Sequence, residues 1–217
     1  QSVILDSDGL TLRGADGATI TATPNQIGGP KAVVVSIEAD DVTVEGLEII
    51  SKSGENAAAV AIGRPSNNVN SLSGVTLRND VIRGKGGGTF GGGFADGLLI
   101  ENNEFLFDGF NTLFVDLESG DSAEILDNEF KRVGDGFNGL FSGGTQAGNL
   151  TARGNSVEGS GSAPDIKYNA GASSEVFTSV NGVGSSTSPI SNQEAANELL
   201  GANDIDKVQV GDVTETS

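Results

Sequence analysis

One phrase of alternating apolar and polar positions returns five times along the chain: VTVEGLEI from Val42, VTLRNDVI from Val75, LLIENNEF from Leu98, AEILDNEF from Ala123 and LTARGNSV from Leu150. Its first and third residues are apolar or small in every copy, from Val42 and Val44 to Leu150 and Ala152, which is the alternation of a half-buried strand. The fifth position holds Gly46, Asn79, Asn102, Asp127 or Gly154 and the sixth Leu47, Asp80, Asn103, Asn128 or Asn155. Most of these are residue types that tolerate left-handed backbone and bond their own main chain, so a turn is expected there. The eighth position is again apolar (Ile49, Ile82, Phe105, Phe130, Val157), so the chain is expected to re-enter the core at that point.

The copies start 33, 23, 25 and 27 residues apart, a period in the range of solenoids. Further strands are expected in AVVVSI (residues 32 to 37), AVAI (59 to 62), TLFVDL (112 to 117) and GLFS (139 to 142), and an earlier coil in LTLRGADGATI from Leu10. Stacked at the ~4.8 Å separation of neighbouring strands, roughly seven coils would make a rod on the order of 30 Å long. Insertions such as SKSGENAAAV and RGKGGGTFGGGF are expected to fall in loops on one side of the stack.

In these features VTVEGLEI, LLIENNEF and AEILDNEF resemble the rungs of right-handed parallel β-helix proteins, the pectate-lyase-like superfamily. The resemblance covers about residues 1–170 and is carried by the rung pattern. It implies an all-β fold over 1–170, a right-handed single-stranded parallel β-helix of about seven coils, after which residues 171–217 are read from their own pattern as a linker, a short helix and a strand. It also implies an internal hydrogen-bonded ladder at Asn103, Asn128 and Asn155, with Asp80 as an imperfect fourth rung, and a stack of Phe105 on Phe130. The competing all-β reading is an antiparallel sandwich, which does not require the same residue types at the same offset in every strand pair.

The tail adds a different period. GASSEVFTSVNGVGSSTSP reads as an extended linker or a loop laid on the stack. In SNQEAANELLG, Ser191 and Glu194 make a capping box, Ala195, Ala196, Leu199 and Leu200 an apolar stripe, and Gly201 a stop, so one short amphipathic helix is expected. Alternation around Val208 and Val210 predicts a last strand. A β-helix exposes open strand edges at its ends, so Leu199, Leu200, Val208 and Val210 are expected either to cap their own stack or to reach a neighbouring copy and polymerise it.

Composition narrows the function classes. Thirty acidic residues against twelve basic give a net charge of −18, which repels nucleic acid and anionic lipid. No apolar run is long enough to span a membrane. The acids are interspersed with Val, Ala, Gly and Thr, the pattern of a folded, evenly acidic surface, and this predicts a protein of a salty habitat. Absence of Cys excludes disulfides and thiolate ligands, and absence of His removes the commonest general base and transition-metal ligand. A start at Gln1 in place of Met suggests a mature chain freed of its leader, so an extracellular or cell-surface location is expected.

Many members of the superfamily that the rungs resemble cut acidic polysaccharides, the lyases with calcium-holding carboxylates and an Arg or Lys base, the hydrolases with clustered Asp and a nearby His. This chain departs from both patterns, with no His and no second Arg three residues after Arg64–Pro65. Asp108, Asp116 and Asp135 are the carboxylates that could still serve as an acid–base pair. DSDG from Asp6 starts like a calcium loop but lacks its terminal Glu, and GGGFAD (Gly91 to Asp96) nearly matches a calcium-binding repeat but has Phe94 where Gly belongs, so Ca²⁺ is the one cofactor considered. The Gly-rich run from Gly84 to Gly93 lacks the ending of a phosphate loop and reads as a flexible insertion. Asn149 opens a single glycosylation sequon, NLT. The expected function is therefore a non-catalytic structural or adhesive surface protein, a homo-oligomer or polymer with a cell-surface glycan as a further partner. The alternatives are a polysaccharide lyase or hydrolase and a monomeric glycan-binding module.

Overall fold

The computed structural model describes residues 2–15, 17–22, 32–52, 57–63, 72–85, 90–92, 95–108, 113–115, 117, 120–133, 141–143, 148–159, 163–168 and 176–217. The described chain is built of β-strands that pair almost entirely in parallel, with a single helix among the described residues. The five repeated phrases supply five central strands of a seven-stranded sheet, ordered Thr11–Arg13, Thr43–Glu45, Thr76–Arg78, Leu98–Glu101, Ser122–Leu126, Gly148–Arg153, Phe177–Val180. Its strands are parallel and its neighbours are successive phrases, so Val44, Leu77, Ile100, Ile125 and Ala152 fall in one column.

A ten-stranded sheet follows each turn. Its main path runs Val3–Leu5, Ala32–Ile37, Ala57–Ile62, Val81–Lys85, Glu104–Asp108, Glu129–Arg132, Ser156–Glu158. Thr19–Ala22 and Glu48–Ser51 stack beside Val81–Lys85 in the same parallel sense, and Phe90–Gly92 pairs with Ala57–Ile62. That last strand lies inside the Gly-rich run expected to be a flexible insertion. A third sheet holds Leu113–Phe114, Phe141–Gly143, Ile166–Tyr168, Lys207–Val210 and Val213–Thr216, of which only the last pair is antiparallel. Leu72–Ser73 and Ala95–Asp96 form a short parallel pair. The arrangement is compatible with a β-helix or solenoid-like fold, and its parallel pairing is not that of an antiparallel sandwich.

Columns of like residues form the core between the sheets. Val44, Leu77, Ile100, Ile125 and Ala152 are all 0 % exposed, as are Ile49, Ile82, Phe105 and Phe130 in the adjoining sheet. Each fully buried Leu, Ile or Phe side chain contributes about 1.5–3 kcal/mol. Phe105 and Phe130 stack with ring centroids 4.7 Å apart and planes 8° from parallel. Between the two sheets every phrase bends sharply: Gly46, Asn79, Asn102, Asp127 and Gly154 all have positive φ, between 52° and 69°. Asn and Asp accept this region more readily than other side chains, which is why they alternate with Gly at one corner.

The C-terminal segment differs from expectation in two ways and in a third follows one of the two alternatives expected of it. Phe177–Val180 lies in the stretch read as a linker, yet it is the seventh strand of the phrase sheet, so the parallel stack continues beyond residue 170. The helix Asn192–Ala202 runs through Gly201 and is capped at Asn203, whose extended backbone ends it. The capping box is present, with Ser191 Oγ accepting from Glu194 N at 3.3 Å and a Glu194 carboxylate oxygen accepting from Ser191 N at 3.2 Å. Finally, Lys207–Val210 pairs in parallel with Ile166–Tyr168 of the same chain, and Ala195, Ala196 and Leu199 of the helix are buried in the common core.

Candidate functional site

The most organised polar feature is a line of side chains threading the turn between the two larger sheets. Asn103 N and Nδ2 both donate to Asn128 Oδ1 at 3.0 Å, and Asn128 N and Nδ2 both donate to Asn155 Oδ1 at 3.0 Å. Each amide also donates to a main-chain carbonyl of the preceding coil: Asn103 to Leu77, Asn128 to Ile100, Asn155 to Ile125, at 2.8–3.0 Å. These three asparagines are at most 2 % exposed, and a buried amide is costly unless its groups are paired. Here the pairing is shared along the stack.

A residue that the phrases do not reveal closes the line. Asn203 Oδ1 accepts from Asn155 N and Nδ2 at 3.0 and 2.8 Å, and its own Nδ2 donates to Ala152 O and Leu199 O at 3.0 and 2.7 Å. One side chain thus ends the ladder and caps the last turn of the helix, whose final carbonyls need partners. No phrase surrounds Asn203; the only signal was an Asn next to a helix end.

At the other end stands Asp80, whose backbone N–H donates to Asn103 Oδ1 at 2.9 Å and whose Oδ1 accepts from Leu47 N at 2.9 Å. Its Oδ2 is buried and has no hydrogen-bond partner. Burial, and secondarily the carboxylate of Glu45, push the Asp80 carboxyl up to about 7, against the opposing N–H bond from Leu47. Glu45, 7 % exposed, sits opposite Arg13 on one side and Arg78 on the other. Its Oε1 takes Arg13 Nε and its Oε2 takes Arg78 Nε at 2.7 Å and Nη2 at 2.6 Å. Arg13 first, and Arg78 next, hold the Glu45 carboxyl below the usual carboxylate range.

The aspartates at the opposite bend are spent on the backbone. Asp8 Oδ1 accepts from Asp40 N at 3.1 Å, Asp40 Oδ1 from Ser73 N at 2.7 Å, and Asp96 Oδ1 from Ser122 N at 2.9 Å. Asp8 and Asp96, singled out by the two calcium-like motifs, thereby hold the first N–H of the next coil. Among the described residues no three carboxylates draw together closely enough to hold a cation.

Of the residues read as catalytic, Asp108 alone lies among the described residues. Asp108 ends the strand Glu104–Asp108, its backbone opposite Lys85. Asp116 and Asp135 lie outside the described residues, as do Arg64 and Pro65. Asn149 is half-buried in the strand Gly148–Arg153, its Nδ2 donating to Asp121 O at 3.3 Å and its Oδ1 accepting from Ser179 Oγ at 2.8 Å, so the nitrogen a glycan would occupy is already engaged. Leu199, Val208 and Val210, read as assembly residues, are 0 % exposed within one chain, and Leu200 packs half-buried against the same core. Within this chain the side chains of Leu199, Val208 and Val210 are covered by their own stack, and Leu200 keeps part of its surface exposed.

No family model, curated protein or solved structure matches the chain. Among the described residues no helix is long and apolar enough to cross a membrane.

Proposed function

We propose that the chain is a right-handed single-stranded parallel β-helix of about seven coils that serves as a non-catalytic structural or adhesive component outside the cell or on a virion, in a salty habitat. It acts as a self-assembling subunit. The β-helix reading is supported by the strands from Leu98–Glu101 to Ile166–Tyr168, which visit three sheets of parallel pairs in turn, and the salt-adapted surface by the net charge of −18. The functional reading is carried by one observation, the unlike ends of the stack. Towards the C-terminus the ladder stops at Asn203 and the last parallel strand is covered by an antiparallel one from its own tail. Towards the N-terminus Val3–Leu5, Thr11–Arg13 and Thr19–Ala22 each pair on one side only among the described residues, and Leu12 and Ile20 on these strands stay partly exposed. An unpaired strand edge over incompletely covered apolar side chains is a template for another chain. The contact between subunits therefore runs through the first coil, while the tail serves its own stack.

Light scattering and negative-stain microscopy at molar salt test this, with Ile20→Lys as the variant and circular dichroism as the control for folding. Defined assemblies that Ile20→Lys disperses support the reading. A wild-type protein that is monomeric at every salt concentration overturns it. A monomer that releases unsaturated or reducing ends from acidic polysaccharides would instead make it a lyase or hydrolase.

A further inference from the structure

The four asparagines of the ladder share one habit that Asp80 cannot copy in its ionised form. Each points its Nδ2 at the carbonyl three residues before the preceding rung: Asn103 at Leu77, Asn128 at Ile100, Asn155 at Ile125 and Asn203 at Ala152. Asp80 occupies the same place. Its N–H meets Asn103 Oδ1 and its Oδ1 meets Leu47 N as the asparagines' groups do, so its Oδ2 stands where they carry an N–H donor. The carbonyl in the corresponding position is that of Val44, three residues before Leu47.

We infer that Asp80 is held as a neutral carboxylic acid whose Oδ2–H takes the place of an asparagine N–H and donates to the main-chain carbonyl of Val44. The N-terminal end of the ladder therefore takes up a proton from solvent when it forms and returns it when it is ionised. A bare carboxylate would set two oxygens against each other in a site where Asp80 is 1 % exposed and Oδ2 has no other partner. Such an uncompensated buried charge is far costlier than an unpaired neutral group.

The surrounding charges push the same way. Glu45, on the preceding strand, is the ionised group that faces Asp80, and the two guanidiniums near it, Arg13 and Arg78, are bonded to Glu45 itself. Of the other charged side chains described on the packed strands, Arg83 and Glu48 are exposed, and Glu101 and Glu104 half-buried. The direction and size of the carboxyl's displacement, up to about 7, accord with this geometry. Because the folded state holds the proton more tightly than the unfolded chain, this group's contribution is complete in acid and is lost as pH rises through about 7.

Carbon-13 NMR of the aspartate carboxyls at fixed salt decides the matter, with Asp80→Asn to assign the signal. The expected result is one aspartate titrating near pH 7 that is missing in Asp80→Asn, together with a melting temperature that falls between pH 5 and pH 8 in the wild type but not in the variant. Should every wild-type aspartate titrate near the ordinary value of about 4, the inference is overturned. It is equally overturned if Asp80→Asn shifts the melting temperature by the same amount at pH 5 and pH 8. If the variant does not fold, the Asp80 carboxyl signal is assigned in the wild type by through-bond correlation to its own backbone amide, and its titration near the ordinary value of about 4 overturns the inference.

Discussion

Asn128 satisfies all its side-chain hydrogen-bonding groups without water. Its oxygen accepts from Asn103 N and Nδ2, and its nitrogen donates to Ile100 O and Asn155 Oδ1. Asn128→Ala would leave those donors and acceptors buried and unpaired, and is expected to cost about 2–4 kcal/mol in urea unfolding at fixed salt. Glu45 makes the opposite pH signature to Asp80. Its carboxyl is depressed by Arg13 and Arg78, so what it contributes is present above the ordinary glutamate range and disappears as pH falls through its own lower value. The melting-temperature difference between wild type and Glu45→Gln is therefore expected to be largest near neutrality and to vanish in strong acid. Backbone geometry gives a third residue-scale expectation. At Gly46, φ is +69° and the nearest atom to an added Cβ, Gly14 O, is 3.5 Å away, so Asn fits both the space and the conformation. Gly46→Asn is expected within about 1 kcal/mol of wild type and Gly46→Val about 1–3 kcal/mol below it by thermal unfolding, since a β-branched residue is strained there.

At the scale of elements, the parallel strands were legible because two periods coincide. Alternation within a phrase marks one face as buried, and recurrence every 23–33 residues puts the same face of the next phrase beside it. That suffices for columns such as Val44 to Ala152 and for the left-handed corner from Gly46 to Gly154. The strand Phe177–Val180 escaped because only Val180 falls opposite an apolar phrase residue, Leu150, before the chain turns at Asn181, and Phe177 is buried across a register shift after Gly148. The helix was legible from Ser191 and Glu194, but its end was not. Gly201 has no neighbour within 4 Å of a would-be Cβ and keeps helical backbone, while the stop comes from Asn203, whose amide is drawn into the ladder. The partner that sets Val208 and Val210 in the core is Ile166–Tyr168, a strand separated from Lys207–Val210 by the whole helix. No local pattern reports such a pairing.

At the scale of the molecule, stability should be graded along the stack. Each coil bonds mainly to the coils on either side, so protection is set by neighbours and is lowest where one side is missing. Hydrogen exchange is expected to be fastest in Thr11–Arg13 and Thr19–Ala22 and slowest in Leu98–Glu101 and Ser122–Leu126. Asn203→Ala removes the acceptor for Asn155 N and Nδ2 and the helix's terminal donor. It is expected to speed exchange about 10- to 100-fold in Gly148–Arg153 and Phe177–Val180, consistent with about 1–3 kcal/mol for the lost bonds, while leaving Thr43–Glu45 unchanged. Equal acceleration at both ends would show that the molecule opens as one unit.

The ladder also has a direction. From Asn103 to Asn155 each amide offers one N–H to the rung of the next coil and the other to a carbonyl of the preceding coil, and its oxygen accepts from the preceding rung. Turning a single amide over would set donor against donor on one side and acceptor against acceptor on the other, so the orientation of any rung is inherited from its neighbours. The same rule makes coil number a free variable in the gene. Asn103 and Asn128 are 25 residues apart, and a tandem copy of that interval would present the same oxygen below and the same N–H above. Lengthening by whole coils therefore leaves both ends, Asp80 and Asn203, with the partners they already have, whereas an insertion of any other length would have to be looped out at a corner.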